Sequence, residues 1–482
     1  MQGSSPIDID LRLRAIESRE DLLRHRVDGW CAWAVLRFRV QSKLVLGETV
    51  GAGSRWSPWR FTLAAKDLPR LLSPGRARYL AKTYTSGLAE RRGQGYTDIW
   101  FDDLFGALSS GFKLEGVNNP AFLPRRRQAL VKAALTSTAL DLGAAVLARM
   151  GESPEIRPAA DLITKALEAE FGSGVLPPHW AFRHLRAFHH AKRVYRWLLG
   201  RVDPEIVLVA DPGEHSLVAA AKERRLPVAE IQHGLIDTNH SGYSWTSYAE
   251  PYRTHMPIPD ALFLYGEQAC RDLEVNGFWG SALRSVGSPR MDRYRSLRWP
   301  NRLDLRCTLL VTTQGIETTG VIIFLQRCIQ LLRGSLPFRL IVKLHPVYDV
   351  DTLERYRCAF ADDSEVEVLS GAADVSTLEL LTQAHLHASV SSTCHFDALA
   401  LGVPTVVLPF RTHEVVLPLV ARGHARLVRD ADELAVLIRS GRALSLPDDV
   451  GNSYFRPGAL ANMKREIAEL ISISAAARPS GK

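Results

Sequence analysis

The chain has 482 residues, of which 46% are hydrophobic and 23% charged, and it carries a formal charge of +8. That length allows roughly two to four domains with large buried cores. No stretch approaches the roughly 20 apolar residues of a membrane span, and the positive balance suits an anionic partner: nucleic acid, membrane headgroups or a phosphorylated substrate.

The longest apolar candidates, 30–40 and 129–150, are broken by Arg37 and Arg39 and by Lys132 and Asp141. The first residues carry Asp8, Asp10, Arg12 and Arg14 around no apolar core, which is not a secretory signal. A cytoplasmic protein is expected, with association at the inner face of the cytoplasmic membrane as a second possibility. Cys31, Cys270, Cys307, Cys328, Cys358 and Cys394 are scattered without a CxxC pair, so neither a disulfide framework nor a structural metal is expected.

Residues 1–200 read as an α-rich region belonging to, or packed on, the first of two Rossmann-like units. Within it, 179–198 (His-Trp-Ala-Phe-Arg-His-Leu-Arg-Ala-Phe-His-His-Ala-Lys-Arg-Val-Tyr-Arg-Trp-Leu) forms a basic amphipathic helix. The favoured reading puts its aromatic stripe in the core and its basic face in water. The other is peripheral contact with an anionic bilayer or a lipid-linked phosphate.

Residues 201–289 supply a strand series. The run 205–210 precedes Asp211-Pro212-Gly213-Glu214-His215 and a helix over 216–224; the strand 228–231 ends in Gln232-His233-Gly234. The strands 261–264 and 283–286 follow, the latter ending in Gly287-Ser288-Pro289-Arg290. The Arg-rich stretch 290–301 is expected to link the two units.

From 302 to 445, strands at 308–312, 339–343, 366–369, 386–390, 405–408 and 425–428 alternate with helical segments. One helix between strands implies βαβ crossovers and a parallel, doubly wound sheet. The fold class is therefore α/β, two Rossmann-like domains with parallel sheets facing a cleft, followed by a C-terminal helix and tail over 446–482 that ends in a frayed segment from 473.

In such sheets ligands bind beyond the carboxyl ends of strands. Lys343-Leu344-His345-Pro346 follows one buried strand and Ser391-Ser392-Thr393 another. An imidazole with a nearby lysine can donate to phosphate oxygens, and hydroxyls at a helix start both cap it and favour an anion. Thr313 and Gln314, in the turn Thr312-Thr313-Gln314-Gly315, could approach the same ligand, and Asp397 could order the cap or bind the donor. Asp211, Glu214 and His233 end strands of the other sheet. A carboxylate and a histidine so placed suit a base for an acceptor hydroxyl or a nucleophile for a sugar, whereas Asp-Pro-Gly-Glu is equally a capped turn. His215, His240 and Asp102-Asp103 are weaker candidates. His189, His190, His385 and His387 are expected to have only structural or solvent roles. The sequence contains neither GxGxxG nor GxxxxGK[ST], which argues against nicotinamide redox chemistry and P-loop hydrolysis.

Together, Gln232-His233-Gly234, 286–292 (Val-Gly-Ser-Pro-Arg-Met-Asp), Lys343-Leu344-His345-Pro346 and Ser391-Ser392-Thr393 resemble the GT-B glycosyltransferases of bacterial capsule and O-antigen synthesis. Kdo transferases are the nearest resemblance. Bacterial sialyltransferases and CDP-glycerol glycerophosphotransferases are more distant. Ser392-Thr393-Cys394-His395-Phe396-Asp397 approximates the Ser-Ser…Phe-Asp start of the last family. The resemblance spans about 203–445. It implies metal-independent transfer of Kdo or a related sugar from a CMP-activated donor to a glycan or lipid-linked acceptor, with no cofactor and no nucleic acid. It assigns the donor phosphate to His345, Ser391, Ser392 and Thr393, and a nucleophile's role to Asp211, with Glu214 behind it. The sialyltransferase acidic motif is absent unless Asp211-Pro212-Gly213 replaces it. Polyol-phosphate transfer from CDP-glycerol or CDP-ribitol, and UDP-sugar transfer or 2-epimerisation, are the alternatives on the same fold.

Overall fold

Two parallel sheets organise the chain. The computed structural model describes residues 6–46, 57–85, 89–117, 119–149, 151, 153–297, 306–346, 348–371, 375–440 and 449–477. These divide into one unit of 1–86, 100–286 and 460–482, and a second of 87–99 and 287–459.

The sheet of the first unit contains β1 (Tyr79–Thr85), β2 (Gly111–Val117), β3 (Leu135–Thr136), β4 (Ile206–Val209), β5 (Val228–Ile231), β6 (Ala261–Leu264) and β7 (Leu283–Ser285). Its order is β7-β6-β5-β4-β1-β2-β3, every pair parallel. β4 to β6 are buried throughout, as expected of strands covered on both faces. The order reverses direction between β1 and β4, the switch point where α/β sheets open a crevice at their carboxyl ends.

Three of these strands lie in the region expected to be α-rich. β1 and β2 escape a hydrophobic-run reading because they carry buried charges. On β2, Lys113 pairs with Asp102 and Glu115 pairs with Arg126 Nε at 2.6 Å. On β1, Lys82 has its own partner, described below. A buried charge is tolerated only when it is paired, and the partners are distant in sequence from Lys82 or on separate elements.

The helix Trp180–Val202 packs on the helices Ile156–Phe171 and His215–Glu223. It buries Trp180, Leu185, Phe188 and Tyr195 and leaves Arg183, Arg193 and Arg196 exposed. Its aromatic stripe is thus core, the favoured of the two readings. The expected histidines are structural: His189 pairs with Asp28, and His190 Nε2 lies 3.0 Å from the Gly151 carbonyl oxygen.

The second sheet contains β8 (Cys307–Thr312), β9 (Phe338–Lys343), β10 (Val366–Leu369), β11 (Leu386–Ser389), β12 (Thr405–Val407) and β13 (Arg426–Leu427). Its order, β10-β9-β8-β11-β12-β13, is again wholly parallel and reverses between β8 and β11. The helix Thr318–Leu332 covers it with Val321, Leu325, Cys328 and Ile329, packed on the helix Ala431–Arg439.

The stretch expected as a linker is a helix over Pro289–Leu297; residues 298–301 of it lie outside the described residues. That helix has fixed partners inside its unit. Arg290 Nε and Arg293 Nη2 reach the buried Glu90 carboxylate at 2.6 and 2.7 Å, and Arg295 donates to the carbonyls of Ala400 and Gly451. Glu90 belongs to a short ribbon, Glu90–Arg92 with Gly95–Thr97, which groups with the second unit although the chain around it builds the first. The last helix, Ala459–Ala476, extends past the expected fraying point, and 478–482 lie outside the described residues. Arg284 reaches Glu466 and Glu469 on it, within the first unit.

Candidate functional site

In the second unit the residues after β8, β9 and β11 converge on two acceptors. The buried Asp349 carboxylate is the first. Its Oδ2 accepts from Thr313 Oγ1 at 2.7 Å, Gly315 N at 2.9 Å and His345 N at 3.1 Å, and its Oδ1 accepts from Thr352 Oγ1 at 2.9 Å. One side chain therefore holds the loop after β8 against the loop after β9. Gly315 is needed here: it has φ +70°, and a Cβ would collide with the Tyr348 carbonyl.

Gln314 is the second acceptor. Its Oε1 accepts from Ser391 N at 2.9 Å and from Ser391 Oγ at 3.2 Å, and that hydroxyl also lies 2.8 Å from Thr412 Oγ1. Ser392 Oγ accepts from Cys394 N at 3.2 Å, a local cap, and Thr393 is the residue preceding the short helix Cys394–Ala400. Thr313, Gln314, His345 and Ser391 are thus brought to one sheet edge.

The His345 ring stacks on Tyr348 with centroids 4.5 Å apart, and its Nδ1 accepts from Tyr348 N at 3.2 Å. Burial lowers its pKa, with Asp349 acting in the opposite sense. A neutral ring with Nδ1 as acceptor carries its proton on Nε2, the arrangement of a hydrogen-bond donor.

Two expected donor contacts are engaged elsewhere. Lys343 is buried and its Nζ donates to the Ser370 carbonyl at 2.8 Å, beside β10. Asp397 sits by Arg290 and Glu90; burial raises its pKa to about 6 against the lowering effect of Arg290. Arg290 belongs to the 286–292 motif, two other members of which are architectural: Gly287 has φ +91° against the Arg456 carbonyl, and Asp292 Oδ2 accepts from Ala459 N at 2.7 Å.

In the first unit, Glu214 and Lys82 form a buried ion pair at the switch point, Nζ to Oε2 2.6 Å. Tyr84 donates to the other Glu214 oxygen, and Lys82 Nζ lies 2.8 Å from Tyr195 Oη. Burial lowers the pKa of the ammonium, but the Glu214 carboxylate and its neighbours outweigh that and hold it above its ordinary value.

Asp211 Oδ1 accepts from Gly213 N at 2.5 Å, the capped turn expected of Asp-Pro-Gly. His233 is held neutral by burial, with Asp211 near enough to oppose that shift, and its Nδ1 is 3.5 Å from Tyr243 Oη. Tyr243 Oη in turn donates to Glu230, a carboxyl that burial pushes up to about 8. Gln232 staples the next strand, accepting from Tyr265 N at 2.7 Å. A cavity beside the ends of β4 and β5 is lined by Asp211, His215, Glu230, Ser241, Gly242 and Trp245.

Of the weaker candidates, His215 lines that cavity, and His240 stacks on Phe38; burial lowers the pKa of each to about 3. Asp102 is committed to Lys113. Sequence reading missed Lys82, Tyr84, Glu230, Tyr243, Asp349 and Thr412. Only Asp349 left a local signal, four residues beyond His345 in a turn-forming loop. The others are joined by contacts between separate elements. Among the described residues, no group of three or more His, Cys, Asp or Glu side chains could hold a metal ion.

No protein-family model matches the chain, and no curated protein matches it. Solved structures do. A putative UDP-N-acetylglucosamine 2-epimerase from Listeria monocytogenes is 13% identical with a TM-score of 0.50, covering 83% of this chain and 98% of that one. The UDP-GlcNAc 2-epimerase of Methanocaldococcus jannaschii is 14% identical (TM-score 0.47; 81% and 99% covered). Acinetobacter baumannii MurG is 12% identical (TM-score 0.45; 81% and 99% covered). At such identities the Listeria likeness is one of fold. Together with the two sheets, it places the chain in the GT-B architecture of paired Rossmann-like halves.

Proposed function

We propose that the chain is a glycosyltransferase that moves Kdo or a related sugar from a CMP-activated donor to a glycan or lipid-linked acceptor in surface-polysaccharide synthesis. The observation that carries this reading is the convergence of Thr313, Gln314, His345 and Ser391 at the switch point of the second sheet, held there by Asp349. That is where a Rossmann-like unit takes a nucleotide. A neutral His345 with its proton on Nε2 and the hydroxyls of Ser391, Ser392 and Thr393 are suitable donors to phosphate oxygens. They would stabilise the charge that grows on the leaving nucleotide.

The first unit would take the acceptor. His233, neutral and hydrogen-bonding through Nδ1, is the natural base for an acceptor hydroxyl. In the transfer, the sugar–phosphate C–O bond breaks with its electron pair leaving on CMP, the acceptor oxygen bonds the sugar, and the hydroxyl proton passes to the base. Asp211 stands beside His233 as the carboxylate for nucleophilic or electrostatic assistance. Glu214, committed to Lys82 and Tyr84, has a positioning role in this scheme. Lys343 and Asp397 act through Ser370 and Arg290, behind the donor site.

The alternative is chemistry on a UDP-sugar, as transferase or 2-epimerase. It draws on the Listeria neighbour, which is named a putative UDP-N-acetylglucosamine 2-epimerase. Calorimetric titration of wild type and His345→Ala with CMP, CDP, UDP and GDP separates the readings. Binding selective for CMP and lost in the variant is expected. Selectivity for CDP would move the assignment to polyol-phosphate transfer, and selectivity for UDP to the alternative. No binding of any nucleotide would remove the donor-site assignment.

A further inference from the structure

In the second unit the loop after β12 passes through Thr412, whose backbone is left-handed with φ +76° and ψ −1°. Glycine takes that conformation freely and asparagine tolerates it, but for a β-branched side chain it is a steric outlier. Thr412 precedes the short 3-10 turn His413–Val416, yet its side chain does not cap that turn. The hydroxyl faces Ser391 instead, Oγ1 to Oγ 2.8 Å. Contacts on both sides of Thr412 hold the loop. Arg411 N donates to Glu317 Oε1 at 2.8 Å, and His413 N donates to the Phe410 carbonyl at 3.1 Å. The Phe410 ring meets Phe324 edge-on with centroids 5.7 Å apart. Glu317 is itself left-handed, at φ +43°. Backbone strain of this kind persists where its surroundings over-determine it, and it clusters at ligand sites.

The strained residue places a second hydroxyl on Ser391, and the protons of the pair can be followed. Ser391 N donates to Gln314 Oε1 at 2.9 Å, so Gln314 turns its carbonyl, and not its amide NH2, towards Ser391. Ser391 Oγ lies 3.2 Å from the same oxygen, which can only accept. When Thr412 donates to Ser391 Oγ, the Ser391 proton is left for Gln314. That bond is the longest of the three around Ser391, and Gln314 Oε1 keeps the Ser391 N–H when it breaks. The Ser391 hydroxyl can therefore turn from Gln314 to a phosphate oxygen without leaving Gln314 unpaired. Accepting a hydrogen bond from Thr412 also polarises the Ser391 hydroxyl and makes it a stronger donor.

We infer that Thr412 is a positioning residue of the donor site: its hydroxyl donates to Ser391 and directs the Ser391 proton at the nucleotide phosphate. The inference rests on the donor-site reading above and deepens it. To the loops after β8, β9 and β11 it adds the loop after β12, and it gives the left-handed backbone of Thr412 a purpose that capping does not. It stands whichever nucleotide the site takes, because the group recognised is the phosphate.

The test is calorimetric titration of the full chain with whichever of CMP, CDP, UDP and GDP the wild type binds, alongside thermal melts. Thr412→Val keeps the branched shape and removes the hydroxyl, and should bind the nucleotide roughly tenfold more weakly. Thr412→Ser should bind within about twofold of wild type, since the hydroxyl remains. Thr412→Gly relieves the backbone but also lacks the hydroxyl. It should melt roughly 2–6 °C above Thr412→Val and still bind as weakly. Ser391→Ala should lose roughly tenfold, and adding Thr412→Val to it should change affinity by less than about twofold, because Thr412 acts through Ser391. Wild-type affinity in Thr412→Val or Thr412→Gly, or additive losses in the double variant, would overturn the inference and leave the donor-site reading standing. A wild type that binds none of the four nucleotides would remove that reading, and the inference with it.

Discussion

Removing the Asp349 carboxylate should uncouple the two loops that carry Thr313, Gly315 and His345. Asp349→Ala leaves two backbone N–H groups and two hydroxyls without their acceptor. Hydrogen bonds to charged groups contribute about 1.5–3 kcal/mol each, and a threonine hydroxyl can turn to another partner. Counting mainly the two backbone donors, the loss is about 3–5 kcal/mol. For a unit of this size each kcal/mol shifts the midpoint by about 2–4 °C, so a fall of roughly 10 °C in the transition of the second unit is expected by scanning calorimetry. Asp349→Asn can keep the three bonds to Oδ2 with a neutral acceptor, and should lose only about 1–2 kcal/mol. Nucleotide titration should follow the same rank: wild type, then Asn, then Ala. An alanine variant that melts within about 2 °C of wild type and binds nucleotide equally well would refute the claim that this carboxylate organises the site.

Three further outcomes follow from the same structure. Lys82→Met strands the buried Glu214 carboxylate and should cost about 3–5 kcal/mol, whereas Lys82→Met/Glu214→Gln should recover much of it; a denaturant double-mutant cycle checks this. Gly315→Ala forces a Cβ against the Tyr348 carbonyl at φ +70°, and should weaken nucleotide binding and cost at least about 1 kcal/mol. His395 is fully buried, and desolvation lowers its pKa to about 4. Between that value and its ordinary 6.5 the unfolded chain is protonated and the folded one is not, so stability from the neutral ring is complete above pH 6.5 and declines as pH falls towards 4. The decline is about 1.4 kcal/mol per pH unit, or about 3 kcal/mol in all. Asp397, raised to about 6, acts in the opposite sense over part of that range. The measurement is therefore the difference in acid-unfolding slope between wild type and His395→Gln, which should be shallower in the variant.

Much of the fold was legible because strands buried on both faces are written as apolar runs. β5 and β6 fall at the residues expected, 228–231 and 261–264, and the strands and helices of 302–445 shift by only a residue or two. β1 and β2 were hidden by Lys82, Lys113 and Glu115, whose charges read as surface until their partners are known. The helix Pro289–Leu297, in the stretch read as a linker, was hidden for the same reason. Three arginines in a short stretch suggest solvent, yet Arg290 and Arg293 close on Glu90, about two hundred residues away in the chain.

By itself, then, the sequence determined the α/β class, the strand ends at which a ligand could sit, and the residues Thr313, Gln314, His345 and Ser391 that gather at one of them. These follow from local periodicity and from which residue types start helices or end strands. Tertiary structure alone decided that Asp349 joins two loops, that Lys82 satisfies Glu214, and that Lys343 turns to Ser370. Each depends on what a side chain meets across the fold, because a charge can be buried only with partners that local pattern does not encode.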